Sequence, residues 1–119
     1  KGVQCTNLTG LIDIYPTLCD LIGIEPPHKL SGLSLKAQLN DVTVPGKTHE
    51  YTMGSPKAYS VRTQKYRYTE WRKDKIHADY SMLYDLENDP NEYENLVGNY
   101  QYKEIEVELK RKLDSVLIN

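Results

Sequence analysis

Apolar and polar positions change rhythm twice along this chain. Between positions 11 and 24 apolar residues crowd together, and Leu11, Ile12, Ile14, Leu18, Leu21 and Ile22 cover more than one face of a helix. The run stops at Gly23, with Pro26-Pro27 just beyond, a helix stop followed by a stiff extended segment. The pattern predicts a helix over 11–22. Pro16 is tolerated only in a first turn, which places the start of regular helix near Asp13. A helix that is apolar nearly all round is buried on several sides. That is more cover than one small domain supplies, and it implies a partner surface. Residues 25–48 read as mostly irregular, with a short helix over 35–39 and Ser34 as its N-cap.

From position 49 the period drops to two. Tyr59, Val61 and Thr63 alternate with Ser60 and Arg62, and Tyr66 and Tyr68 alternate with Arg67 and Thr69. This is the signature of strands with one buried face. Strands are predicted over 49–53, 58–63, 66–71 and 81–86, with Gln64-Lys65 as a hairpin turn, Gly54-Ser55-Pro56 as another connection, and 72–80 as a charged loop. The last change is to steps of three and four. Tyr102, Ile105, Leu109, Leu113 and Val116 form one apolar stripe on a helix over 100–117, capped by Asn99. Glu106–Lys110 and Glu108–Lys112 are favourable pairs on its exposed faces. The order predicts an α+β fold: a small four-stranded antiparallel sheet with a long C-terminal helix and an N-terminal apolar helix. It is read as a single domain over 1–119, with a junction helix and irregular segment at 1–48 and the sheet plus C-terminal helix at 49–119.

Charge and composition narrow the function classes. Fifteen Lys and Arg against seventeen Asp and Glu leave a net charge of −2, with the signs mixed along the chain. That excludes the concentrated basic face of a nucleic-acid module. No apolar run approaches the roughly 18 residues of a membrane-spanning helix. The chain opens Lys1-Gly2-Val3-Gln4 without Met, and we expect it to be a fragment of a longer protein. Cys5 and Cys19 are the only cysteines. Their spacing fits no zinc pattern, and they read as small, partly buried thiols, with a disulfide between them as the alternative. Asn7-Leu8-Thr9 matches the glycosylation triplet.

Four stretches in order carry a resemblance. Ile12-Asp13-Ile14-Tyr15-Pro16-Thr17-Leu18, Leu30-Ser31-Gly32-Leu33-Ser34-Leu35, Tyr59-Ser60-Val61-Arg62-Thr63 with Tyr66-Arg67-Tyr68, and Leu83-Tyr84-Asp85-Leu86 with Asp89-Pro90, Glu92 and Asn95-Leu96 resemble motifs at the end of the formylglycine sulfatases. Ser31 stands where the second motif usually has Asp. The tyrosine-rich hairpin is most similar to the iduronate-2-sulfatase-like branch. The resemblance implies an alkaline-phosphatase-like sulfatase C-terminal subdomain, docked beside an α/β catalytic domain. It also implies sulfate-ester hydrolysis by the parent, with a formylglycine nucleophile and a calcium ion. Neither cofactor is expected in this fragment. Cys5 precedes Thr6-Asn7 and Cys19 precedes Asp20-Leu21, so neither lies in the motif from which formylglycine is made, and the family's metal ligands lie upstream. The fragment alone is therefore expected to be inactive, with no catalytic and no metal residue of its own.

The remaining chemistry is at a rim. Sulfated carbohydrate substrates are anionic, and cations beside an active site attract and orient them. Lys57 in the 54–57 connection is the leading substrate-binding candidate, with Ser55 and His49 as secondary ones. Arg62 and Arg67 lie on strands, where an ion pair or sheet-face role is expected. His28, His49 and His77 show no ligand spacing. Asp85, Glu87, Asp89 and Asn91 alternate like the start of an EF-hand, but Pro90 stands at the glycine position and Leu96 at the bidentate Glu position. They read instead as a turn, with Asn95 bonding local backbone. Trp71 and the tyrosines read as core or cross-strand pairs before they read as a sugar-stacking surface. Two alternatives fit the same residues: an independent carbohydrate-binding module, or the same subdomain of a related phosphodiesterase or phosphonate hydrolase. The expected partners are the parent's catalytic domain and the sulfated carbohydrate, with self-association of the fragment through its apolar helix.

Overall fold

The computed structural model describes residues 2–54, 57–74 and 76–118, in two compact units, Lys1–Thr48 and His49–Asn119.

In the first unit the apolar run begins as a single 3-10 turn, Leu11–Asp13, and continues as α1, Ile14–Ile22. Pro16 therefore falls in the first turn of the α-helix, where its missing N–H costs nothing. Gly23 ends α1 at φ 71°, a left-handed cap that a side chain would resist. Leu11, Ile14, Leu18, Leu21 and Ile22 are each half exposed or more, so the surplus of apolar side chains is on the surface. The short α2, Lys36–Asn40, follows Ser34, whose hydroxyl accepts the Lys36 amide at 3.2 Å and donates to Asp20 at 2.7 Å. The unit is knotted at Asp13, which is fully buried. One carboxylate oxygen accepts the Leu33 amide at 2.9 Å, and the other accepts the Gly10 amide at 2.8 Å and meets Lys47 Nζ at 2.6 Å. Gly32 lets the 30–35 segment approach, because a β-carbon there would run into the carbonyl of Ile12.

The second unit is a meander of β1 (Glu50–Gly54), β2 (Ala58–Arg62), β3 (Tyr66–Arg72) and β4 (Ala78–Asp85), antiparallel and in sequence order. The register sets Tyr51, Val61, Tyr68 and Leu83 in one row across all four strands. Above this row lies α3, Lys103–Leu117, entered through a 3-10 turn, Tyr100–Tyr102, with Asn99 accepting the Gln101 amide at 3.0 Å. Leu109 and Leu113 close the core with Val61, Tyr68, Leu83 and Leu96. The β2–β3 hairpin lacks glycine. Thr63 substitutes for it, since its hydroxyl accepts the Tyr66 amide at 2.9 Å while its own amide donates to the Tyr66 carbonyl at 2.8 Å. The outer edge of β4 is also satisfied: Asn95 Oδ1 accepts the Leu83 amide at 3.0 Å, and the Leu96 amide donates to the Leu83 carbonyl at 2.9 Å.

Some expectations change. β4 starts at Ala78 rather than 81, so the charged connection is shorter than 72–80, and a register shift at Trp71/Arg72 absorbs the extra residue. The apolar stripe of α3 ends on Leu117, packed against the core, while Val116 is half exposed. Glu108–Lys112 forms at 3.4 Å. Lys110 instead turns to buried Glu70 at 2.9 Å, and Glu106 accepts the Gly98 amide at 3.1 Å. A buried carboxylate without solvent is the stronger partner for a nearby ammonium. Cys5 and Cys19 are both free, and only Cys19 is buried. Among the described residues no helix is long and apolar enough to cross a membrane.

Leu109 is 2% exposed at the centre of the helix–sheet contact. Leu109→Ala should cost about 2–5 kcal/mol, the usual range for truncating a buried leucine. A denaturant titration showing a loss below about 0.5 kcal/mol would mean that the stripe does not face the core.

Candidate functional site

The structure places the candidates at different ends of one hairpin. Lys57 lies in the β1–β2 connection, next to Ala58, which pairs with Gly54 at that end. His49 lies just before β1, at the end where Glu50 pairs with Arg62. Five strand residues separate the two ends, roughly 16 Å of extended chain, so the two side chains do not share a local site. His49 is half-buried and sets its ring edge-on to Tyr51, with centroids 5.1 Å apart. Ser55 lies outside the described residues.

Lys57 is exposed, and its backbone is held at φ 62°. The left-handed region costs a residue with a β-carbon roughly 1–2 kcal/mol, and it persists only where neighbouring contacts impose it. Those contacts are present. The Lys57 ammonium donates to the Lys73 carbonyl at 2.7 Å, and the Lys57 carbonyl accepts the Arg72 amide at 3.0 Å. Lys57, Tyr59, Arg72, Lys73, Asp74 and Leu117 line an open hollow of about 440 Å³. Its lining holds two lysines, one arginine and one carboxylate, with Tyr59 and Leu117 beside them.

Behind the hollow lies a charged cluster that the sequence reading passed over. Glu70 and Arg72 are 1% and 2% exposed on the core face of β3. Arg72 Nε donates to Glu70 at 2.7 Å, its guanidinium also binds Asp114 of α3, and the Tyr68 hydroxyl donates to Glu70 at 2.6 Å. Burial opposes the charge on Arg72, but Asp114 and Glu70 outweigh it and hold the guanidinium in its charged form. Burial, then Glu70, pushes the Tyr68 hydroxyl well above the ordinary phenol range. The signal for this cluster was parity: positions 66, 68, 70 and 72 share one face of the strand.

Of the other singled-out residues, Arg67 and Asp85 have structural roles. Arg67 pairs with Glu92 at 2.7 Å, while Arg62 is exposed. His77 is exposed beside Asp74 at 2.9 Å, and His28 is exposed. Asp85 accepts the Glu87 and Asn88 amides at 3.1 Å each and the Asn88 side chain at 2.8 Å, which makes it the anchor of a turn. Among the described residues no group of three or more His, Cys, Asp or Glu side chains could hold a metal ion. Tyr51, Tyr59, Tyr66, Tyr68 and Tyr102 belong to the core. On the opposite face Trp71 and Tyr80 form a tilted pair with centroids 5.6 Å apart. Asn7 of the glycosylation triplet donates its side-chain amide to the Val44 carbonyl at 2.8 Å.

A meandering four-stranded sheet backed by a C-terminal helix is the fold that the resemblance to sulfatase C-terminal subdomains implies. Residues 1–118 match the family described as N-sulphoglucosamine sulphohydrolase, C-terminal, and the chain belongs to that family. It is 32% identical over 114 residues to the Delta 4,5-hexuronate-2-O-sulfatase of Bacteroides thetaiotaomicron, covering 89% of this chain and 23% of that protein. It is 30% identical over 128 residues to arylsulfatase K of Homo sapiens, covering 98% and 23%. The solved structure of BT4656, in complex with its substrate D-glucosamine-2-N,6-O-disulfate, superposes with a TM-score of 0.72 at 26% identity, covering 87% of this chain and 23% of that one. The chain thus spans about 23% of the length of these relatives.

Proposed function

We propose that this chain is the C-terminal structural and substrate-rim subdomain of a sulfatase that hydrolyses sulfate esters of carbohydrate. The observation that carries this is coverage: nearly the whole chain matches a C-terminal sulfatase family, yet it spans under a quarter of its sulfatase relatives. In this reading the catalytic domain lies ahead of residue 1. Formylglycine and calcium belong there and would supply the nucleophile and polarise the sulfate. What this chain contributes is position. The exposed apolar side of α1 docks on the catalytic domain, and in the chain by itself the same surface meets water or a second copy. Lys57 stands on the rim as a cation for the anionic substrate, with Ser55 of the same connection as a secondary contact, while His49, at the other end of the hairpin, lies away from it.

The test is turnover by the whole protein and by residues 1–119 alone, on 4-nitrophenyl sulfate, a Δ4,5-hexuronate 2-O-sulfate and D-glucosamine-2-N,6-O-disulfate. The whole protein should release sulfate from at least one, and the chain alone from none, because nucleophile and metal charge are indispensable to the reaction. Sulfate release by the pure chain would overturn the division of labour. Hydrolysis of a phosphonate monoester with no release from any sulfate ester would move the whole protein to the related phosphonate hydrolases.

A further inference from the structure

Two ties hold Lys57, and both run to the end of β3. Its ammonium is held by the Lys73 carbonyl at 2.7 Å, and its own carbonyl accepts the Arg72 amide at 3.0 Å. Arg72 is fixed from behind by Glu70 and Asp114. Lys73 begins the turn to β4, and that turn is organised by one side chain. Asp74 Oδ1 accepts the amides of Ile76 and His77 at 2.8 Å each, and its carboxylate meets His77 Nδ1 at 2.9 Å. The His77 side chain, then the two amides, holds the Asp74 carboxyl down to about 2, so it is ionised at any ordinary assay pH. The Lys73 amide closes the turn on the His77 carbonyl at 3.0 Å.

Resting on the reading of Lys57 as a rim cation, we infer that Asp74 is a positioning residue for Lys57: it fixes the β3–β4 turn so that the Lys73 carbonyl aims the Lys57 ammonium over the hollow toward an anionic sugar. An ammonium has three donors. One goes to the carbonyl and sets direction, and two can be offered to sulfate or carboxylate oxygens. A long, flexible lysine side chain gains most from such an anchor, because binding an anion then freezes fewer rotamers. Asp74 itself is exposed and lies outside the sheet–helix core, so its substitution leaves the fold in place.

The experiment measures KM and kcat of the whole protein on whichever of the Δ4,5-hexuronate 2-O-sulfate and D-glucosamine-2-N,6-O-disulfate it turns over faster. Lys57→Ala should raise KM and leave kcat nearly unchanged, as expected where ground and transition states are bound equally. Asp74→Ala should raise KM by about two- to fivefold, the scale of an exposed charge contact, again with kcat unchanged. Asp74→Asn keeps the oxygen that accepts both amides and should restore KM to within about twofold of wild type. In the Lys57→Ala background, Asp74→Ala should add nothing. A raised KM for Lys57→Ala with none for Asp74→Ala overturns the positioning role and leaves the rim reading standing. An unchanged KM for Lys57→Ala overturns the rim reading and this inference with it. An Asp74→Ala effect that persists without Lys57 shows that Asp74 acts by another route and overturns the inference. Turnover of neither sugar overturns the inference through the function on which it rests.

Discussion

Glu70→Ala is expected to destabilise the sheet–helix unit by about 3–5 kcal/mol, the scale for removing one partner of a buried ion pair. Glu70 is 1% exposed and receives Arg72, the Tyr68 hydroxyl and Lys110, the last at 2.9 Å from α3. Without it, the Arg72 guanidinium, shut away from water, loses the carboxylate it meets at 2.7 Å, and Tyr68 loses the acceptor of its hydroxyl. The cost comes from the charges left behind, which yields a second expected result. Glu70→Leu combined with Arg72→Leu should cost clearly less than the two single changes added together, because both charges leave at once. Urea titration followed by the fluorescence of Trp71, the only tryptophan and a member of β3, reads both. A loss below about 1 kcal/mol for Glu70→Ala would place the cluster with weak surface pairs, and full additivity would deny the coupling.

This cluster also shows where one-dimensional reading stops. The alternation of apolar and polar residues located β2 and β3 to within a residue or so, because Tyr59, Val61, Tyr66 and Tyr68 point one way into a common core. The same rule assigns Glu70 and Arg72 to that buried face, against their chemistry, and only the partner on α3, 42 residues away for Asp114, explains how the face accepts them. The helix stripe was legible at Leu109 and Leu113, since steps of four fix a face, and ambiguous at its end, where 116 and 117 flank the same line. Lys110 was assigned to its helical neighbour because spacing alone ranks local pairs above a distant buried carboxylate. For the site, residue type and loop position singled out Lys57. The carbonyl that aims it and the turn that holds that carbonyl are products of strand register, which no local pattern carries. The separation of His49 from Lys57 has the same origin: eight positions apart in sequence, they fall at opposite ends of the hairpin once β1 pairs with β2.

Asp13→Ala should be as costly to the first unit as the loss of Glu70 is to the second, about 3–5 kcal/mol for removing one partner of a buried ion pair. The Asp13 carboxylate is fully buried and gathers the neighbouring amide of Gly10 and two sequence-distant groups, the amide of Leu33 and the ammonium of Lys47. Truncation leaves two backbone donors without their acceptor and takes from Lys47, whose side chain is only 14% exposed, the carboxylate it meets at 2.6 Å. Thr17 extends the same knot, donating to the Asp13 carbonyl at 2.6 Å and accepting the Leu35 amide at 2.9 Å. The damage should therefore spread along 30–35 and leave the sheet of the second unit intact. Hydrogen exchange resolves this: the amides of Gly10, Leu33 and Leu35 should lose protection, and those of β2 and β3 should keep it. Acid supplies an independent check. Burial by itself would raise the Asp13 carboxyl, but the Lys47 hydrogen bond and the two amides outweigh it and hold it below 3.8. A group lowered on folding stabilises fully above its unfolded value and loses that contribution as pH falls through its folded one. The stability difference between wild type and Asp13→Asn should thus be constant near neutral pH and shrink below about pH 4. A difference that stays flat into stronger acid would mean that the Asp13 charge contributes nothing, and equal loss of protection in both units would mean that the knot is not confined to the first.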